Sequence, residues 1–96
     1  MYRFILKGNA AKETEKLPAQ IRKRILEKLK FYSSQENPLS FAKKLKDSRF
    51  GEYRFRIGEY RVLFDVEGQK IVILKVGHRR DIYNRDFEAG YLLDIL

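Results

Sequence analysis

The sequence predicts an α+β fold, a twisted, mostly antiparallel four-stranded sheet with two N-terminal helices packed on it and a further helix at the C-terminus. Two observations carry that prediction. Residues 52–66 alternate apolar and charged side chains with a period of two, broken at Gly58, and residues 18–34 repeat apolar side chains with a helical period. At 96 residues the chain suffices for one hydrophobic core, so residues 1–96 are expected to form one domain.

The elements follow in order. Tyr2, Phe4 and Leu6 alternate with Arg3, Ile5 and Lys7, which predicts an edge or second-to-edge strand. Gly8-Asn9 interrupts it, and Asn9 is read as the N-cap of a short helix through Lys16. From Pro18, the positions Ile21, Ile25, Leu29 and Tyr32, widened by Leu26, mark a long helix, with Arg22, Lys23, Lys28 and Lys30 on its outer side. Pro38 disfavours helix at Asn37, so this helix should stop near Ser34. Between there and Phe50 the sequence reads as irregular or one turn of helix. Phe41, Leu45 and Phe50 are its expected core anchors, and Lys43, Lys44 and Lys46 form a basic cluster.

Strand two, Glu52 to Ile57, sets Tyr53, Phe55 and Ile57 on one face and Arg54 and Arg56 on the other. After a Gly58-Glu59 reversal, strand three runs from Tyr60 to Val66 and opposes Tyr60, Val62, Phe64 and Val66 to Arg61, Leu63 and Asp65. Glu67-Gly68 supplies the next reversal. Ile71 to Leu74 is apolar on both faces, as a central strand requires, and Gly77 is expected to end it. Residues 84–96 carry Phe87, Tyr91, Leu92 and Ile95 at helical spacing. Gly90 weakens this helix by roughly 1 kcal/mol relative to Ala, which predicts a mobile tail.

Composition narrows the chemistry. Cysteine is absent and His78 is the one histidine, which argues against disulfides, thiol catalysis and a metal centre, and no cofactor motif is present. No apolar run approaches the roughly 20 residues of a membrane span, so a cytoplasmic protein with no membrane partner is expected. The net charge of +8 points to an anionic partner, nucleic acid or an acidic protein. Residues 1–48 carry +7, residues 49–85 carry +4 and residues 86–96 carry −3, so the basic excess is spread over both the helical and the strand halves. Taken alone, Arg54 and Arg56 suit a solvated sheet face as well as a polyanion site.

The runs YRFRIGEYRVLF and IVILKVGHRRDIY, with the element order around them, resemble the RelE/ParE superfamily of bacterial and archaeal toxins, and its RelE branch in particular. The resemblance covers about residues 1–85. It implies an endoribonuclease that cleaves mRNA at codons in the ribosomal A site, and an acidic antitoxin that wraps the toxin. Carried over by position, the implied catalytic set is Arg54 and Arg56 on strand two, Arg61 on strand three, Arg79 after the last strand, and Tyr83. His78 is a secondary candidate, and Lys46, Arg80 and Arg85 are candidate RNA contacts. Two departures stand out. The best-known pattern has lysines where this chain has Arg54 and Arg56, which stay protonated and cannot act as general bases, and the segment between Arg79 and Tyr83 is short.

Metal-independent cleavage by attack of the RNA 2′-hydroxyl needs a base, cations around the phosphorane and an acid at the 5′-oxygen. Arg61 and Arg79 are read as the phosphate fork. Tyr83, its phenolate favoured by nearby arginines, is the expected proton-transfer group ahead of His78, with Tyr60, Glu59 and Asp81 also in the neighbourhood; Tyr83 could instead stack on a base. Two further functions fit the same charges. One is a ParE-like, non-enzymatic inhibitor of DNA gyrase, and the second is a basic nucleic-acid-binding domain without activity.

Overall fold

Strict alternation in the middle of the chain builds the sheet, and the helices cover one of its faces. The computed structural model describes residues 1–82, so Tyr83, Arg85 and the expected C-terminal helix at 84–96 lie outside the described residues. The elements are β1 (Arg3–Leu6), α1 (Gly8–Glu15), α2 (Ala19–Ser34), β2 (Ala42–Lys44), β3 (Tyr53–Ile57), β4 (Tyr60–Glu67) and β5 (Lys70–His78), with short 3₁₀ turns at Pro38–Phe41 and Ser48–Phe50. They form a sheet in the order β1-β5-β4-β3-β2, in which β1 runs parallel to β5 and the remaining pairs are antiparallel.

The core lies between α2 and the sheet. Ile25, Leu29 and Tyr32 of α2 meet Phe55, Ile57, Val62, Phe64, Ile71, Ile73 and Val76, with Ala10 of α1 at the margin. An aromatic stack threads this layer: Tyr32 on Phe55 with ring centroids 4.5 Å apart, Phe55 on Phe64 at 4.3 Å and Phe64 on Tyr53 at 5.6 Å. Burial raises the Tyr32 phenol above its ordinary pKa.

Several expectations are corrected. The sheet has five strands among the described residues, because Ala42–Lys44 pairs with Tyr53–Phe55 along the far edge. A three-residue strand with two lysines has no periodicity to read. Asn9 is not an N-cap. Helix α1 begins at Gly8 behind Lys7, whose carbonyl accepts the Ala11 N–H, and no side chain caps it. Phe41 is 43% exposed rather than a core anchor, packing edge-on to Phe31 and stacked on Tyr32 at the surface end of the aromatic stack. Strand β5 continues through Gly77 to His78. Within it Leu74 is an inserted residue, since Phe64 faces Ile73 while Leu63 faces Lys75; this bulge restores the inward direction of Val76.

Beyond Ile73, β5 loses its β1 neighbour, and α1 takes over. The Glu13 carboxylate accepts the Val76 N–H at 3.0 Å and binds Lys75 Nζ at 2.5 Å, satisfying a strand edge that would otherwise face no partner.

Candidate RNA-cleavage site

The site is built around the turn between β3 and β4. Gly58 and Glu59 join Ile57 to Tyr60, and Gly58 has φ +59°, a conformation that a glycine enters without steric cost in the first position of a two-residue hairpin turn. Next to this turn, Arg56 on β3 and Arg61 on β4 are direct cross-strand partners. Like charges placed opposite one another destabilise a sheet, so this pairing calls for a local reason.

Each arginine is held differently. Arg56 is exposed. Arg61 is only 7% exposed, and its Nη1 donates to the carbonyl oxygens of Gly58 and Tyr60, both at 3.0 Å, so one edge of its guanidinium shapes the turn itself. Arg79 reaches the same turn from the end of β5. Its backbone N–H donates to the Glu59 carbonyl at 2.7 Å, and its Nε forms an ion pair with the Glu59 carboxylate. Both side chains of that pair are more than half exposed, so solvent screens it. Arg54, half-buried, lies one pleat further from the turn on the same face, opposite Leu63.

His78 faces Tyr60 across the β4–β5 ladder, its ring edge-on to the phenol with centroids 5.3 Å apart. The three residues after it fold back: Arg80 N–H donates to His78 Nδ1 at 3.1 Å, and the N–H groups of Asp81 and Ile82 both donate to the His78 carbonyl at 2.9 Å. An imidazole that accepts at Nδ1 and is neutral carries its proton on Nε2, so His78 is arranged as a hydrogen-bond donor at that nitrogen. Ile82 then packs over Gly77, where a Cβ would lie 3.1 Å from Ile82 Cδ1.

Of the residues singled out from sequence, the structure gathers Arg56, Arg61, Arg79 and His78 at one end of the sheet, with Arg54 one step behind and Arg80 exposed beside His78. Lys46 is exposed in the connection after β2 and does not share the β3–β4 turn. Two cations near these arginines were not expected there from sequence. Arg24 of α2 comes to the turn, its guanidinium 3.3 Å from where a Gly58 Cβ would sit, and Lys43 faces Arg54 across β2–β3. Only tertiary packing could reveal the first; recognising β2 would have revealed the second. Among the described residues no group of His, Cys, Asp and Glu is placed to hold a metal ion.

Comparison with known proteins agrees with this architecture. Residues 4–83 match the family described as the ParE toxin of the type II toxin–antitoxin system parDE. Toxin RelG of Mycobacterium tuberculosis is 37% identical over 78 residues, spanning 79% of this chain and 88% of that protein. Toxin RelE3 of Methanocaldococcus jannaschii is 34% identical over 76 residues, 76% of this chain and 85% of its own. Among solved structures, the toxin–antitoxin complex RelBE2 from M. tuberculosis contains a chain that superposes with a TM-score of 0.72 at 31% identity, covering 81% of this chain and 98% of that one. A chain of the archaeal RelE–RelB complex from Pyrococcus horikoshii gives 0.65 at 29% identity, covering 83% and 97%. The chain therefore belongs to the RelE/ParE superfamily and is a toxin of the type II toxin–antitoxin class.

Proposed function

We propose that this toxin is an endoribonuclease that cleaves mRNA in the ribosomal A site by metal-independent attack of a 2′-hydroxyl on the adjacent phosphate. The observation that carries the reading is the gathering of Arg56, Arg61 and Arg79 at the Gly58–Glu59 turn, with Arg24 behind it and the exposed Glu59 carboxylate among them. A phosphorane carries more negative charge than the diester it comes from. Preplaced guanidinium groups favour it selectively, which is where most of the rate acceleration of such a site arises.

In this reading Arg61, fixed by the two turn carbonyls, and Arg79, exchanging Glu59 for a phosphate oxygen, grip the non-bridging oxygens. Arg56 and Arg54 stabilise the charge from the exposed side of the sheet. Tyr83 is the residue assigned to take the 2′-hydroxyl proton, and His78 is the secondary candidate for protonating the departing 5′-oxygen, a role that requires the imidazolium and hence release of the Arg80 N–H from Nδ1. The products are a 2′,3′-cyclic phosphate and a 5′-hydroxyl. Arg80, Arg85 and Lys46 supply outlying contacts to RNA or the ribosome.

The partner in this reading is an acidic antitoxin, as the RelB-bound relatives suggest. A groove of about 750 Å³ between β1 and α2 suits one of its segments, with Phe4, Ala19 and Leu26 as its apolar floor and Arg22, Lys23 and Lys30 outnumbering Glu27 around it. The second reading, inhibition of DNA gyrase without catalysis, has in its favour the match to a family described by ParE. Primer extension on an mRNA translated in vitro separates the two. Wild-type protein is expected to give A-site-phased cuts that Arg61→Ala abolishes and Tyr83→Phe strongly reduces. Absence of cuts, together with a block of DNA supercoiling, would establish the gyrase reading instead.

A further inference from the structure

Arg24, Lys28 and Phe31 stand at i, i+4 and i+7 of α2 and so form one stripe, about 10 Å long along the helix axis. The stripe begins at the Gly58–Glu59 turn. Cζ, Nη1 and Nη2 of Arg24 all lie 3.3 Å from where a Gly58 Cβ would sit, so the guanidinium shows its flat face to the turn and keeps its N–H edge outward. Arg24 and Lys28 are both exposed, and among the described residues neither has a hydrogen bond or an ion pair. Glu59, the carboxylate of the turn, is engaged by Arg79. Lys28 sets its ammonium 5.7 Å from the centroid of the Phe31 ring. Phe31 is itself 49% exposed and meets the exposed Phe41 edge-on, so an aromatic surface continues the cationic one. A hollow of about 270 Å³ lies along the stripe, lined by these three residues of α2 and by Glu27.

We propose that this stripe is a second RNA subsite, where Arg24 and Lys28 hold a phosphate of the substrate strand beyond the scissile one and Phe31 stacks the base attached to it. The inference rests on the ribonuclease reading and extends its substrate site past the reacting phosphate. Arg56 lies on the open face of the sheet and Arg24 on the helix side of the turn, so a strand that touches both crosses the Gly58–Glu59 edge. Two cations against the one Glu27 carboxylate favour a polyanion in the hollow. Two neighbouring rings favour a polyanion that carries bases, because phosphate goes to the charge and the face of any base goes to the ring.

Binding of non-cleavable 2′-deoxy oligonucleotides to the free protein, followed by NMR, tests the assignment. A dinucleotide fills only the reacting site, whereas an octanucleotide is long enough to reach α2. Replacing Arg24 and Lys28 together by Ala should weaken the octanucleotide about tenfold at low salt and leave the dinucleotide unaffected. The slope of log K against log salt should become shallower by about 1.4, roughly 0.7 for each lost contact. Phe31→Leu keeps apolar bulk beside Phe41 but removes the ring face, and should weaken the octanucleotide about tenfold with the slope unchanged. Taking the same charge from the exposed Lys12 and Lys16 should alter its affinity less than about twofold. Circular dichroism verifies the fold of each variant. Equal losses for the two probes, or an equal loss on replacing Lys12 and Lys16, overturn the subsite. Unchanged octanucleotide affinity overturns it as well; weakened binding of a polyglutamate peptide would then mark the stripe as a protein contact, and weakened binding to the ribosome alone as a contact to ribosomal RNA. Length-dependent loss of binding in a protein that cuts no mRNA refutes the ribonuclease reading and leaves the subsite standing.

Discussion

The two faces of strands β3 and β4 are made by the same residues in alternation, yet they answer to different physics. On the helix-covered face, Phe55 and Phe64 are wholly buried and stacked 4.3 Å apart, and α2 closes over them. On the opposite face, Arg54, Arg56 and Arg61 share a ladder with Lys43, and the Arg56–Arg61 pair sets like charge against like. The first face lowers the free energy of the fold. The second buries Leu63 as well, but its like-charge pair costs stability and is intelligible as binding surface, because an arrangement that costs stability persists where it serves a ligand.

Substitutions on the two faces should therefore move different quantities. Phe55→Ala removes a ring held between Tyr32 and Phe64, and should destabilise the protein by about 3–5 kcal/mol in urea or thermal unfolding, a large part of what a domain of this size has. A loss below about 1 kcal/mol would mean that the aromatic stack is not what holds α2 to the sheet. Arg56→Ala should do the reverse. Unfolding free energy should stay constant or rise by a few tenths of a kcal/mol as the like-charge pair is relieved, while the rate of RNA cleavage falls about 10²-fold. Loss of stability with retained cleavage would place Arg56 among the structural residues.

The alternation that separates these faces was legible in the sequence because a period of two sustained over five to eight residues is the mark of a strand covered on one side. The i, i+4, i+8 apolar positions of α2 mark a helix in the same way. What escaped was short or non-local. Strand β2 has three residues, two of them lysine, so its pairing with β3 leaves no pattern in one dimension. Phe41 looked like core by composition, but the 3₁₀ turn before β2 leaves it half outside, against Phe31. For the site, the arginines on β3 and β4 followed from alternation, whereas the tie between Arg79 and Glu59, the approach of Arg24 and the burial of Arg61 depend on how the strands and helices meet.

Glu13 tests whether the edge of β5 is held from α1 as firmly as the stack holds α2. Its carboxylate serves both Val76 N–H and Lys75, and both side chains of the ion pair are largely shielded. Glu13→Ala leaves the Val76 amide without its acceptor and takes one anionic partner from Lys75, and should cost on the order of 1–3 kcal/mol. Faster hydrogen exchange should appear at Val76 and its neighbours, with the Phe55 region unaffected. If exchange accelerates everywhere alike, the edge and the core unfold as one unit and the distinction between them fails.

Glu59 matters least to the fold and bears on the charged face most directly. Because its ion pair with Arg79 is more than half exposed on both sides, Glu59→Gln should change stability by no more than about 0–1 kcal/mol, with the Arg79 N–H to Glu59 carbonyl bond still anchoring the turn after β5. The guanidinium, however, loses its anionic competitor. Affinity for a non-cleavable, 2′-deoxy oligonucleotide should rise a few-fold, and the effect should shrink as salt is raised, since the competition is between two anions for one exposed cation. Unchanged affinity at low salt would show that Arg79 does not exchange Glu59 for phosphate, and would remove Arg79 from the grip while leaving Arg61, fixed by the turn carbonyls, as its remaining member on the strands.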